Sequence, residues 1–362
     1  MQPRQLDPKR QSYKAEALAS RFKLRIVGQP AATESLISVL EKYQGGFYDR
    51  TKPIASLLFL GPTGVGKTGT AEAFAEGLFG SPKHLLKVDC AEFQHGHEIA
   101  KLIGSPPGYL GHRETHAFFT NAVINKLHQK ELRPATMLTP AVYEDFDPAF
   151  TIVVFDEIEK ASDALWNLLL GILDKGTLTL GTNEVVDFTK TVILMTSNVG
   201  SSELAEENAI GFDRGKNIRT EAQMKEIAMS AARRKFMPEF LNRLDQVVCF
   251  KSLTPMDLDE ILGLELGNIY DRLMMQSKVL FEFNVSPAAL RRILKEGYDR
   301  RYNARHLKRV IDKYVAVPLG RLVATGQVMP NDTIIIDYDG DWKYYAEAPL
   351  ARAAEEGDVL AG

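Results

Sequence analysis

The run Gly61-Pro62-Thr63-Gly64-Val65-Gly66-Lys67-Thr68 fits the spacing G-x-x-x-x-G-K-[ST]. Glycines at these places let successive backbone N–H groups wrap closely around an anion. The apolar run Leu57–Leu60 leads in, and Ala71–Phe79 continues with helical character, so a helix start and its dipole face the same anion. Lys67 offers a point charge to outer phosphates and Thr68 a hydroxyl to magnesium. The segment Gly61 to Thr68, with Gly69 after it, therefore predicts a cradle for ATP and Mg2+. A second run, Thr151–Glu157 (TIVVFDE), puts two carboxylates at the end of an apolar strand. One acid there reads as a strand-end cap, but two adjacent acids suit phosphoryl chemistry better. Asp156 would join Thr68 in the magnesium shell, and Glu157 would polarise the attacking water as general base. A third run, Thr191–Asn198 (TVILMTSN), ends in polar residues, and Asn198 would help orient that water beside the γ-phosphate. The catalytic set is thus Lys67, Glu157 and Asn198.

These residues need rigid elements to hold them. Short apolar runs alternate with helical patterns, which predicts an α/β fold with a parallel sheet flanked by helices. The runs are Leu57–Leu60, Leu85–Val88, Ile152–Phe155, Val192–Met195 and Val247–Phe250, bounded by turn or charged residues as strands buried on both faces should be. A helical stretch around Ala15–Phe22 precedes them. After Phe250 the texture changes to a smaller, mostly helical α+β domain. Pro255–Gln276 reads as a long helix, Val279–Phe283 as a short strand, and Ser286–Glu296 as a helix with a Ser-Pro start. Asn303–Thr325 reads as another long helix kinked or interrupted at Pro318, followed by a hairpin, Thr333–Ile336 with Trp342–Ala346, turned at Asp339-Gly340.

Bulk properties bound the function. The chain has 362 residues, enough for two or three domains, and 45% hydrophobic with 25% charged residues suits a globular core. A net charge of −3 gives no basic surplus, so nucleic-acid binding is not expected. Two distant cysteines, Cys90 and Cys249, form neither a disulfide framework nor a zinc spacing and fit a reducing cytoplasm. A polar start and the lack of a long apolar run predict neither signal peptide nor membrane span. His95, His97, His112 and His116 fall near one another, without tight metal-ligand spacing.

Taken in order, GPTGVGKT, FDEIEKA (Phe155–Ala161), MTSNVGSSEL (Met195–Leu204), FMPEFLNRLDQVVCF (Phe236–Phe250) and YNARHLKRVI (Tyr302–Ile311) resemble the Clp-type AAA-plus ATPases, most of all the second module of ClpB and ClpC. The similarity runs from about Arg25 to about Glu347. It implies a ring, a homo-hexamer, that hydrolyses ATP to remodel or unfold polypeptide substrates. The Arg25–Gln29 segment, with Ile26 and Val27, would lie against the adenine. Arg243 would be the arginine finger reaching the nucleotide of the neighbouring subunit. Arg305 would be a second sensor on the small domain. Tyr109, in LIGSPPGYLG (Leu102–Gly111), would be the aromatic that grips a threaded chain. The expected division is an extension at 1–24, a large ATPase domain at 25–250, a small domain at 251–347 and a tail at 348–362.

The pattern also departs from the family. His112–Phe119 (HRETHAFF) stands where an acidic, glycine-rich stretch is usual. The connection from Gly111 to Thr151 is longer than usual, the extra part being about Glu131–Phe150, which would dock a partner or pack on its own module. The hairpin at Lys175–Asp187 carries LGTNE in place of an Asp-Gly turn. These departures keep open a second reading, a nucleotide-gated assembly or adaptor ATPase that does not thread substrates. Ile210-Gly211-Phe212 matches a tripeptide by which protease-partnered relatives dock on a ClpP-type peptidase; its plain alternative is a glycine turn packed by flanking apolar residues.

Overall fold

Each of the five apolar runs forms a strand of one sheet. In the computed structural model these are β1 (Ala55–Leu60), β2 (Leu86–Asp89), β3 (Thr151–Asp156), β6 (Thr191–Ser197) and β7 (Gln246–Cys249). A small hairpin, β4 (Thr177–Thr179) and β5 (Val185–Asp187), intervenes. The sheet order is β2-β3-β6-β1-β7, and every neighbouring pair is parallel. Helices join the strands, so both faces are covered, and β1 and β6 are buried along their whole length. All carboxyl ends then lie on one edge, where open α/β sheets bind ligands.

The structure describes residues 6–105, 116–126, 149–201, 221–277, 279–299 and 303–347. It divides into two compact units, Met1–Pro62 with Gly66–Lys251 and Thr63–Val65 with Ser252–Gly362. Among the described residues no helix is long and apolar enough to cross a membrane.

In the first unit, helix Lys67–Phe79 starts behind Gly66, whose φ of 99° suits glycine, and stops at Gly80 in the left-handed region. Helix Tyr13–Lys23 packs on it closely. Leu18 lies over Gly77, where a Cβ would come within 2.4 Å of the leucine, and Arg21 donates to the Gly77 carbonyl at 2.9 Å. Trp166 of helix Asp163–Lys175 meets Phe240 edge-on at 4.6 Å and Phe236 at 5.2 Å. This contact seats the short helix Pro238–Asn242. Of the long connection predicted around 131–150, only Ala149 and Phe150 lie among the described residues. Phe150 is fully buried, edge-on to Tyr43 and Phe79.

In the second unit, helix Pro255–Gln276 begins with a capping box. Thr254 and Asp257 exchange side-chain and backbone hydrogen bonds, and Pro255 occupies the first turn. A three-stranded sheet follows: β8 (Glu282–Val285) lies parallel to β9 (Thr333–Tyr338), which pairs antiparallel with β10 (Trp342–Glu347). The strand expected at Val279–Phe283 therefore begins three residues later. The Ser277 hydroxyl takes the Val279 N–H at 3.2 Å and gives to its carbonyl at 2.7 Å, which turns the chain before it can pair. Pro318 does not break its helix. Helix Ala304–Ile311 passes through a wider π-type turn, Asp312–Ala316, into Val317–Ala324. Pro318 has no N–H for the carbonyl four residues back, and the Tyr344 hydroxyl donates to that carbonyl of Tyr314 at 2.9 Å.

Candidate functional site

The phosphate-loop residues leave the carboxyl end of β1. Gly61 has φ 149°, and a Cβ there would stand 2.8 Å from both Cβ and O of Phe250, so only glycine fits this crossing. The Lys67 ammonium is buried and needs acceptors. It donates to the Gly61 and Pro62 carbonyls, both at 2.7 Å, and to Asn198 Oδ1 at 2.8 Å. The amide of Asn198 donates from Nδ2 to Glu157 Oε1 at 3.3 Å. Asn198 thus bridges the lysine of β1's loop to the carboxylate after β3, across the parallel pair β3 and β6.

Asp156 takes its partners from three elements. Thr68 Oγ1 donates to its Oδ1 at 2.9 Å, Thr196 Oγ1 donates to the same oxygen, and Lys87 Nζ stands 2.8 Å from Oδ2. Burial pushes the Asp156 carboxyl up, but the Lys87 ammonium and the Thr196 and Thr68 hydroxyls outweigh burial and hold it below the usual carboxylate range. Thr196 also accepts the Glu157 N–H at 3.1 Å, so one hydroxyl positions both acids. Glu157 sits at φ 56° and ψ 47°, a left-handed conformation that few non-glycine residues adopt and that is worth noting at a functional site. Its Oε2 pairs with Lys160 Nζ. The neighbouring Cys90 thiol is pushed up by burial first and then by the charges of Asp89, Asp156, Glu159 and Glu157.

Arg243 ends helix Pro238–Asn242. Its Nη1 donates to the Leu170 carbonyl at 3.0 Å and its Nη2 to Glu239 Oε1 at 2.7 Å, with Asp174 at 3.7 Å. The turn behind it is fixed by Asp245, whose Oδ2 accepts the Ser56 N–H at 2.7 Å and the Ser56 hydroxyl at 2.8 Å. Ile26 and Val27 precede Gln29, whose side-chain amide exchanges hydrogen bonds with the backbone of Lys251 at 2.9 and 3.0 Å. That pairing holds the segment at the end of β7. Arg305 lies exposed in the first turn of helix Ala304–Ile311 in the second unit.

Tyr109 and the tripeptide Ile210-Gly211-Phe212 lie outside the described residues. The stem that carries Tyr109 is described. Phe118 and Phe119 donate to the Lys101 and Leu102 carbonyls at 3.1 Å, closing its two ends together. Gly181 of the β4–β5 turn donates to the Ile103 carbonyl at 2.8 Å, and a Cβ on Gly181 would come within 2.6 Å of the Gly104 oxygen.

Three partners of the acidic pair went unnoticed in the sequence reading: Lys87, Thr196 and Lys160. All three lie inside runs already singled out. Lys87 stands in strand β2, and no spacing rule ties it to Asp156. The signal that could have found it is the need of two adjacent buried-strand acids for a counter-charge.

A five-stranded parallel sheet with a phosphate loop after β1 and an acidic pair after β3 defines a P-loop nucleotide-binding protein. Residues 52–247 match the family model of the AAA domain (Cdc48 subfamily), and residues 253–336 match the C-terminal, D2-small domain of ClpB protein. The chain belongs to the AAA family. It is 34% identical over 335 residues to the ATP-dependent Clp protease ATP-binding subunit ClpC of Staphylococcus aureus (strain USA300), covering 92% of this chain and 38% of that protein. The corresponding subunit of Staphylococcus epidermidis is 36% identical over 321 residues, covering 88% and 36%. Among solved structures it is similar to a closed-state cryo-EM reconstruction of Hsp104 with ATPγS and FITC casein. The TM-score is 0.74 at 26% identity, covering 92% of this chain and 52% of that one. The chain spans little more than a third of the length of these two ClpC relatives.

Proposed function

We propose that the chain is an ATP-hydrolysing module that assembles with further copies of itself into a ring, a hexamer in the resemblance, and remodels polypeptides in the cytoplasm. The observation that carries this is the convergence of Lys67, Thr68, Asp156, Glu157 and Asn198 at the carboxyl ends of three adjacent parallel strands. Lys67 would exchange its carbonyl acceptors for β- and γ-phosphate oxygens, with the loop N–H groups of Gly61 to Gly69 closing around them. Ile26 and Val27 would cover the adenine. Thr68 Oγ1 and Asp156 Oδ1, 2.9 Å apart, are hard oxygen ligands and fit Mg2+. Among the described residues no group of three His, Cys, Asp or Glu gathers as a metal site, so phosphates and water would complete the shell. Bound there, the ion would neutralise charge on the phosphates. Asn198 would hold Glu157 beside the γ-phosphate, where its carboxylate takes the proton of the attacking water.

Arg243 would act on the nucleotide of an adjoining copy, giving up Leu170 and Glu239 to do so. Arg305 would report the nucleotide's state to the second unit. Tyr109 would contact the polypeptide, which the stem anchored on Gly181 suits. The name of the ClpC relatives supports a peptidase partner through Ile210-Gly211-Phe212, and the casein in the Hsp104 reconstruction supports a polypeptide substrate. The test is Glu157→Gln on the full chain. Turnover should fall by about 10²–10⁴ while ATP affinity stays. Turnover at the parent rate would remove Glu157 from the mechanism.

A further inference from the structure

The base assigned above has both carboxylate oxygens engaged. Oε1 accepts from Asn198 Nδ2 at 3.3 Å, and Oε2 is paired with the Lys160 ammonium. The backbone explains the second contact. Glu157 opens a single 3-10 turn, Ile158–Lys160, closed by the Lys160 N–H donating to the Glu157 carbonyl at 2.9 Å. That bond closes one tight turn, at whose two ends the Glu157 and Lys160 side chains meet. Asp89 and Glu159 add negative charge around Lys160. The Lys160 side chain is nevertheless 46% exposed, so the pair can open without unpacking a core.

A general base must present a lone pair to water, and an ammonium held on that oxygen takes up one of the sites it could present and fixes the direction of the carboxylate. We propose that Lys160 is a positioning residue that latches Glu157 in a resting pose, so that the rate of hydrolysis is set by how often this ion pair opens. The inference rests on Glu157 being the base. Nothing in it concerns nucleotide affinity, which belongs to the phosphate loop.

The test measures steady-state ATP hydrolysis, ATPγS affinity and melting temperature on the full chain. The variants are Lys160→Met, Lys160→Gln, Lys160→Arg and Glu157→Gln, at matched protein concentration. A half-exposed ion pair shifts an equilibrium only about two- to five-fold. Lys160→Met and Lys160→Gln should therefore raise kcat by about that factor, with KM, ATPγS affinity and melting temperature unchanged. Lys160→Arg, which keeps the ammonium's charge, should restore the parent rate. If Glu157→Gln is inactive but both neutral Lys160 variants turn over at or below the parent rate, the latch is wrong and the base assignment stands. If Glu157→Gln turns over normally, the base assignment is wrong and takes the latch with it.

Discussion

Asp156 keeps its charge in a mostly dry place because donors from three elements reach it. Its side chain is 17% exposed, and Lys87 is the one cation among the partners described above. Lys87→Met would leave the carboxylate with two hydroxyls and no counter-charge. Because Lys87 is 42% exposed, solvent softens the loss, and about 1 kcal/mol of stability is the expected cost. The sign with pH follows from the direction of the shift. Asp156 is held below its ordinary value, so its stabilisation is present above that range and fades as pH falls through the folded value. The gap between parent and Lys87→Met in denaturant midpoint should be open at neutral pH and close in acid. A gap that stays the same in acid as at neutral pH would show that Lys87 stabilises by packing alone. The sequence made Lys67, Thr68, Asp156, Glu157 and Asn198 legible because each lies within a few residues of a strand end whose direction is fixed by its apolar run. Lys87, Thr196 and Lys160 acquire roles only through pairing across strands or within one tight turn, and those distances are not written in residue spacing.

At the scale of elements, most of the fold was legible for the same reason. A run such as Val192–Met195, short, apolar throughout and bounded by polar residues, suits a strand covered on both faces, and it forms one. Reading failed where a side chain overrode the pattern. Ser277 turns the apolar Val279 away from the sheet, so β8 starts late. Pro318 predicts a kink or an interruption, and the chain answers it with neither a break nor a loop: the widened turn before it absorbs the ring, and Tyr344 serves the Tyr314 carbonyl from another element. Propensity sees the proline and not the distant hydroxyl. Tyr344→Phe tests that account by deleting the donor alone. The expected effect is a loss of about 1 kcal/mol, read as a lower midpoint in urea with unchanged helix content. A midpoint equal to the parent's would mean that the carbonyl needs no such donor.

At the scale of the whole molecule, the cradle and Arg243 are held by different partners. Lys67, Glu157 and Asn198 are linked to one another by hydrogen bonds, whereas Arg243 is tied to Leu170 and Glu239 and takes no part in that network. Asp245 clamps the turn behind Arg243 to Ser56 of β1, so the arginine is presented from a rigid base. In the role proposed for it, Arg243 would serve phosphate chemistry in another copy, where an arginine of this kind would be worth about 10³–10⁵ in rate. Head-to-tail contacts of this type close into rings. The central claim is that ATP is cleaved at a seam between two copies, and the direct measurement is hydrolysis by mixed variants. Glu157→Gln and Arg243→Ala should each be nearly inactive alone. Mixed one to one, about a quarter of seams pair an intact Glu157 with an intact Arg243, so hydrolysis should return to about that share of the parent rate. A mixture as inactive as its components, or an Arg243→Ala protein active by itself, would contradict the account.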